Sequence, residues 1–204
     1  MTDGLDSLWR GHVPGLLGAR RSYAVLCPLL RREDGLHLLY EVRASTLRRQ
    51  PGEVCFPGGR AERGEGPVVC ALREAQEELA LSPASVEVLG LSDFICNQAG
   101  FLLQPVVGLL MPGTLETLVP SPDEVAELFT VPVDFFARTE PERYVYTLEP
   151  RVPPEFPYQR VGIPPEYPWS RGRVEIPLWQ YGDWAIWGMT ARITRDLVRT
   201  ICGR

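Results

Sequence analysis

The sequence predicts an α/β fold. Three observations carry this: two apolar runs near the start joined by a turn, a segment of helical periodicity in the first half, and a closing amphipathic helix after further strand-like runs. In chain order, residues 22–30 (SYAVLCPLL) are rich in β-forming side chains. Glu33-Asp34-Gly35 supplies a turn, and residues 36–43 (LHLLYEVR) return as the second strand of a hairpin. A polar, basic loop at 44–52 leads to a short strand at 53–56, which Pro57-Gly58-Gly59 ends. The helix is residues 67–79 (PVVCALREAQEEL), with Pro67 in the first turn, where its missing N–H costs little. Residues 86–94 and 102–110 read as strands joined by a glycine-containing loop. Residues 124–136 fit a short strand and a helix equally well, and 144–148 reads as a strand. Residues 184–187 (WAIW) form a late strand, and 189–201 the closing helix.

Between residues 150 and 177 stand eight of the 20 prolines, with Phe156, Tyr158, Tyr167 and Trp169. Such a stretch excludes regular helix and central strand. Its aromatic residues argue against a bare linker. The expectation is a single domain spanning 1–204 with an ordered, proline-rich excursion, packed on that domain or on a second subunit in a homodimer.

Composition narrows the function classes. The chain of 204 residues is 45% apolar and 23% charged, as suits a soluble protein with a real core. The net charge of −5 argues against a general nucleic-acid binder. All 21 basic residues are Arg. The absence of Lys removes Schiff-base chemistry and the P-loop lysine. The five cysteines (Cys27, Cys55, Cys70, Cys96, Cys202) lack C-x-x-C spacing, and with only His12 and His37 beside them a structural zinc site is not expected. The opening MTDGLDSLWRGHVPG lacks the apolar core of a signal peptide, the tail is no peroxisomal address, and no apolar run reaches membrane-spanning length. The expectation is a cytoplasmic protein with no membrane partner and reduced thiols.

Chemistry concentrates in residues 59–81, GRAERGEGPVVCALREAQEELAL. On a helical wheel Val68, Leu72, Ala75 and Leu79 fall within roughly 60°, an apolar stripe for the core. Glu74, Glu77 and Glu78 fall within roughly 100° on the largely opposite side. Carboxylates at these spacings repel one another, so a purely structural helix gains by replacing one with a cation. A hard divalent ion, which takes carboxylate and phosphate oxygens, turns the repulsion into a binding site; a solvated acidic face is the plainer reading. Gly58-Gly59 lets the backbone approach a ligand and offers a carbonyl.

Gly59, Glu65, Arg73, Glu74, Glu77, Glu78 and Leu81 have the spacing G-x5-E-x7-R-E-U-x-E-E-x-x-U, U being aliphatic or small. This resembles the signature of the Nudix hydrolases. The resemblance implies an α/β/α sandwich around a mixed β-sheet and metal-dependent hydrolysis of an X-linked nucleoside diphosphate, with Mg²⁺ or Mn²⁺ as cofactor. It casts Glu74 and Glu78 as principal metal ligands, Glu77 as a further or water-mediated one, and the Gly59 carbonyl as an additional contact. Glu65 and Arg73 become orienting partners. The metal would neutralise diphosphate oxygens and activate water. The general base stays open among Glu78, Glu77 and a later acid, with Glu124 favoured among the later acids; a surface carboxylate at a helix start is the plainer reading of Glu124. Where the family expects Gly just past the helix, this chain has Ala80, at a cost of roughly 1 kcal/mol if that residue is left-handed.

Upstream, RASTLRRQPGEVCFPGG (43–59) is similar to the pattern R-[SA]-x3-R-x3-G-x3-F-P-G-G of the coenzyme A diphosphatase branch. Arg43, Ala44, Arg48, Gly52, Phe56, Pro57, Gly58 and Gly59 fill every specified position. The L-L-T that precedes it in the branch is only partly present, as Leu39, Tyr40 and Glu41. The implied substrate is coenzyme A or acyl-CoA, and the implied products are 4′-phosphopantetheine and adenosine 3′,5′-bisphosphate. Arg43, Arg48 and Arg49 are the candidate anion partners; a solvated arginine loop is the bland alternative. Competing readings are the same chemistry on ADP-ribose or a dinucleotide, and a non-catalytic nucleotide-binding Nudix module.

Overall fold

The computed structural model describes residues 10, 12, 17, 18 and 21–203. The opening segment, expected to carry no targeting signal, lies largely outside the described residues. Eight strands form the main sheet: β1 (Arg21–Arg32), β2 (Gly35–Arg43), β3 (Val54–Cys55), β4 (Gly58–Arg60), β5 (Val86–Leu91), β6 (Ile95–Asn97), β7 (Phe101–Leu110) and β8 (Val125–Pro132). The order is β3-β2-β1-β7-β5, with β8 beside β2, β4 beside β1 and β6 beside β7. Strands β1 and β7 run parallel and the other pairs antiparallel, so the sheet is mixed. A smaller antiparallel sheet joins β9 (Glu142–Leu148), β10 (Gly172–Tyr181) and β11 (Trp184–Trp187) in the order β11-β10-β9. The α-helices within residues 21–203 are α1 (Pro67–Leu79), α2 (Val133–Arg138), α3 (Tyr158–Val161) and α4 (Gly188–Ile201).

Strand alternation builds two cores. Ala24, Leu26 and Leu30 of β1, Leu39 of β2 and Val106 of β7 face α1. Cys27, Leu29, Leu38, Tyr40 and Leu103 face the other way, toward Ala191, Ile193, Leu197 and Val198 of α4. Both faces of the central strands are therefore covered, which explains their long apolar runs and gives the expected α/β/α layering.

The structure differs from the sequence expectation at four places. Gly58-Gly59, expected to end a strand, form β4 against β1. The region 86–94 stops early at Leu91, and β6 occupies part of the expected loop. Pro105 of β7 has no N–H for the ladder, and Gln104 Nε2 bonds Ser92 O at 2.6 Å where the pairing lapses. The ambiguous 124–136 is both: β8 runs to Pro132, and α2 follows directly.

The fourth difference is β10, a central strand that contains Pro177. Its partners explain the exception. β10 pairs β9 over Gly172–Leu178 but β11 only over Leu178–Tyr181. Pro177 thus stands where β10 has one neighbour, and its missing N–H breaks no ladder on the β11 side. The excursion proper ends before Gly172. Phe156, Tyr158, Tyr167 and Trp169 make their ring contacts with one another, edge to face at 4.9–5.6 Å.

Candidate active site

Helix α1 meets the sheet through Cys70, Ala71, Ala75 and Leu79, all buried. Val68 and Leu72, expected within the stripe, are only partly buried at its flank. Small side chains at 70, 71 and 75 let the helix lie close over Ala24 and Leu26, and its buried face is centred on them. That orientation carries Glu78 inward, to 3% exposure. The three acids therefore fan out instead of sharing one exposed side: Glu78 is buried, Glu74 half-buried and Glu77 exposed.

The helix ends at Ala80, which is left-handed (φ 53°) with its N–H on Gln76 O at 3.0 Å. The family's preference for Gly here has its cause in that conformation.

Two glycines bring backbone to the acids. Gly58 N donates to Glu78 Oε2 at 2.8 Å. A Cβ on Gly58 would strike the Ala24 carbonyl, and one on Gly59 would strike the Glu74 carboxylate. Gly59 O accepts the Cys70 thiol at 3.7 Å, so this carbonyl is turned toward α1.

Arg73 organises the outer acids. Its Nε and Nη2 grip Glu65 Oε1 and Oε2 at 2.9 and 3.0 Å, Nη1 reaches Glu74 Oε1 at 2.8 Å and Glu77 Oε2 at 3.1 Å, and Nη2 also reaches Arg60 O at 3.2 Å. The guanidinium hydrogen bonds hold the Glu65 carboxyl down at about 2.

The deep acids behave oppositely. Burial, then the neighbouring Glu41 charge, pushes Glu78 up to about 9. Burial pushes Glu41 up to about 7, against the lowering effects of Cys55 and Arg43. Burial also raises Glu74, opposed by Arg73. Glu124, exposed on the turn before β8, adds its charge to all three. Its backbone carbonyl accepts Ala44 N–H at 2.8 Å, which ties the acid's turn to the arginine loop. The turn leads into a strand, so Glu124 is not at a helix start.

Glu41 went unnoticed as a site residue because it stood only as a departure from a motif. The signal was present: a lone carboxylate in the apolar alternation of LHLLYEVR.

Arg43 is half-buried, and its Nε is buried without a partner among the described residues. Its backbone is pinned by Glu53 O and Gly52 N, both at 3.0 Å. Arg48 and Arg49 are exposed and have no ion-pair partner among the described residues.

Among the described residues no three His, Cys, Asp or Glu side chains stand as a ready metal cage. Arg73 occupies Glu74 and Glu77 instead. The donor chemistry still fits a hard divalent cation: carboxylates that hold one another's pKa up, a glycine carbonyl beside them, and the buried, unpartnered Glu41 Oε2. Such an ion would relieve the mutual repulsion of Glu41 and Glu78, which Arg43 offsets only at Glu41.

The family model for the NUDIX domain matches residues 20–149, and the chain belongs to that family. It is a Nudix hydrolase, of the class that cleaves pyrophosphate linkages. The uncharacterized Nudix hydrolase NudL of Pectobacterium atrosepticum is 36% identical over 187 residues, covering 91% of this chain and 85% of the relative. The peroxisomal coenzyme A diphosphatase NUDT7 of Mus musculus is 44% identical over 116 residues, covering 56% of this chain and 48% of that protein. This chain thus spans about half the length of the mouse relative. Among solved structures, a MutT/nudix family protein from Enterococcus faecalis aligns with 99% of this chain and 70% of its own, at 16% identity and a TM-score of 0.49.

Proposed function

We propose that the chain hydrolyses the diphosphate bond of coenzyme A or an acyl-CoA, giving 4′-phosphopantetheine and adenosine 3′,5′-bisphosphate, with Mg²⁺ or Mn²⁺. The observation that carries this reading is the buried Glu78, tied to the Gly58 amide and within reach of the charges of Glu74 and Glu41. The 44% identity over 116 residues to a coenzyme A diphosphatase supports the substrate.

Glu74 and Glu78, with Glu77 and the Gly59 carbonyl, would hold the cation. When bound, it neutralises diphosphate oxygens and activates water for attack at phosphorus. The remaining work falls to the chain. Arg73, locked on Glu65, fixes the Glu74 rotamer from the solvent side. Gly58 fixes Glu78 from the sheet side. Glu124, exposed on the turn before β8, would serve as the general base. Arg43, whose buried Nε has no partner among the described residues, and the exposed Arg48 and Arg49 would be the anion partners, the latter two for a separate 3′-phosphate.

No described helix is long and apolar enough to cross a membrane. A cytoplasmic, single-domain enzyme acting on a small molecule, with dimerisation through the 150–171 excursion, completes the proposal. The test is a substrate panel with Mg²⁺ or Mn²⁺ and products identified by mass. Coenzyme A should turn over faster than its 3′-dephospho form. Equal rates would remove the 3′-phosphate from recognition and favour ADP-ribose or a dinucleotide. No turnover of any diphosphate would leave a nucleotide-binding module.

A further inference from the structure

Strand β2 presents two side chains to the α1 face in succession, Leu39 and Glu41. Leu39 packs in the core shared with Leu79, as its type requires. Glu41 follows it into the same interior, at 1% exposure. The backbone is held on both sides, by Cys55 of β3 and Leu128 of β8, so the carboxylate has no route to solvent by strand fraying.

For a buried carboxylate, Glu41 is poorly satisfied. Oε1 accepts the Cys55 thiol at 3.1 Å, a weak donor, and Oε2 has no partner among the described residues. Arg43 favours its charge and Glu124 opposes it. Glu41 is in turn the charge that weighs most on Glu78 from across the layer. Among the described residues no guanidinium closes on either carboxylate, in contrast to Glu65 and Glu74. A residue kept for stability would not be built this way, because an unpaired buried carboxylate costs free energy that Thr or Leu would not. At this position the branch motif carries Thr, so Glu41 is a feature of this chain's own site.

We propose that Glu41 is a further cation-binding carboxylate of this site, contributed by β2 and completing with Glu78 a two-carboxylate clamp on a divalent metal ion. This rests on the active-site reading above and extends it beyond the signature helix. The carboxylates come from opposite layers, one from the sheet and one from the helix. The ion would therefore bridge α1 to β2 and stabilise the junction as well as serve the chemistry.

The experiment is direct Mn²⁺ binding to the full chain, by calorimetry and by electron paramagnetic resonance, with thermal melts with and without the ion. Glu41→Gln and Glu41→Thr should each weaken Mn²⁺ binding by at least roughly 10-fold and shrink the Mn²⁺-induced rise in Tm, while their metal-free melts stay level or rise. Glu41→Thr installs the residue the motif itself carries, which guards against a misfolded Gln variant. If both Glu41 variants bind Mn²⁺ like the parent while Glu78→Gln binds it weakly, the clamp is refuted and the helix site stands. If Glu78→Gln also binds unchanged, the active-site reading itself falls.

Discussion

Arg73 closes both arms of its guanidinium on Glu65, at 2.9 and 3.0 Å, and spends its remaining nitrogen on Glu74 at 2.8 Å. One planar fork thus links the loop before α1 to the acids on it. Lys supplies a point charge and cannot span both. Arg73→Lys should lower kcat by roughly 10- to 100-fold, as loss of a partner that orients a ligand does, with KM changed far less. Steady-state kinetics at saturating Mn²⁺ check this; an unchanged kcat would show that Glu74 needs no orientation from Arg73.

The same pair sets a pH dependence. The Glu65 carboxyl sits at about 2 in the folded chain against an ordinary 4.5. A depressed carboxyl contributes stability that is present above the unfolded pKa and is lost as pH falls through the folded one. Parent and Glu65→Gln should therefore differ in chemical-denaturation midpoint at pH 6, with the gap closing between pH 4.5 and 2. A gap that persists at pH 2 would assign the difference to packing.

Gly59 leaves room for the Glu74 carboxylate where any Cβ would stand. Gly59→Ala should cost about 1–3 kcal/mol of stability, as overpacking does, and displace Glu74. Hydrolysis should fall further than the folded fraction does, measured by activity alongside circular dichroism. Full activity in a folded variant would free Glu74 from its assigned place.

Ala80 offers the opposite change. Its φ of 53° suits Gly, so Ala80→Gly should raise stability by about 0.5–1 kcal/mol once the greater freedom of Gly in the unfolded chain is deducted. Urea titration at neutral pH reads this directly, and turnover should not change.

Arg48 and Arg49 stand exposed without ion pairs among the described residues. The double variant Arg48→Gln, Arg49→Gln should raise KM for coenzyme A by roughly 10-fold, the worth of a hydrogen bond to a charged group. KM for the 3′-dephospho form should hold, and the preference should weaken with added salt in the parent. Parallel losses on both substrates would place these arginines on the diphosphate or nowhere.

Much of this site was legible in the sequence because its parts are local. Pro67, the acids and Arg73 lie within one helix, and the bounds of α1 match the expected 67–79. What escaped depended on distant partners. The wheel centred the apolar stripe near Val68 and Leu72, whereas the sheet selects the small residues Cys70, Ala71 and Ala75 and so buries Glu78. Pro177 argued against a central strand, but β10 exchanges neighbours at that point. Glu41 could be recognised only when β2 and α1 were seen to face each other.

Tyr40 and Glu41 are adjacent on β2 and point to opposite faces. The ring of Tyr40 lies against Phe56 and Phe129, at 4.8 and 5.5 Å, and its hydroxyl meets Thr194 at 2.8 Å. A slip of β2 by a single residue would thrust a carboxylate among aromatic rings and leave a phenol amid the acids. Neighbouring side chains of such unlike character make that misalignment intolerable on both surfaces at once, so the chemistry of the site also polices the threading of the strand that bears it.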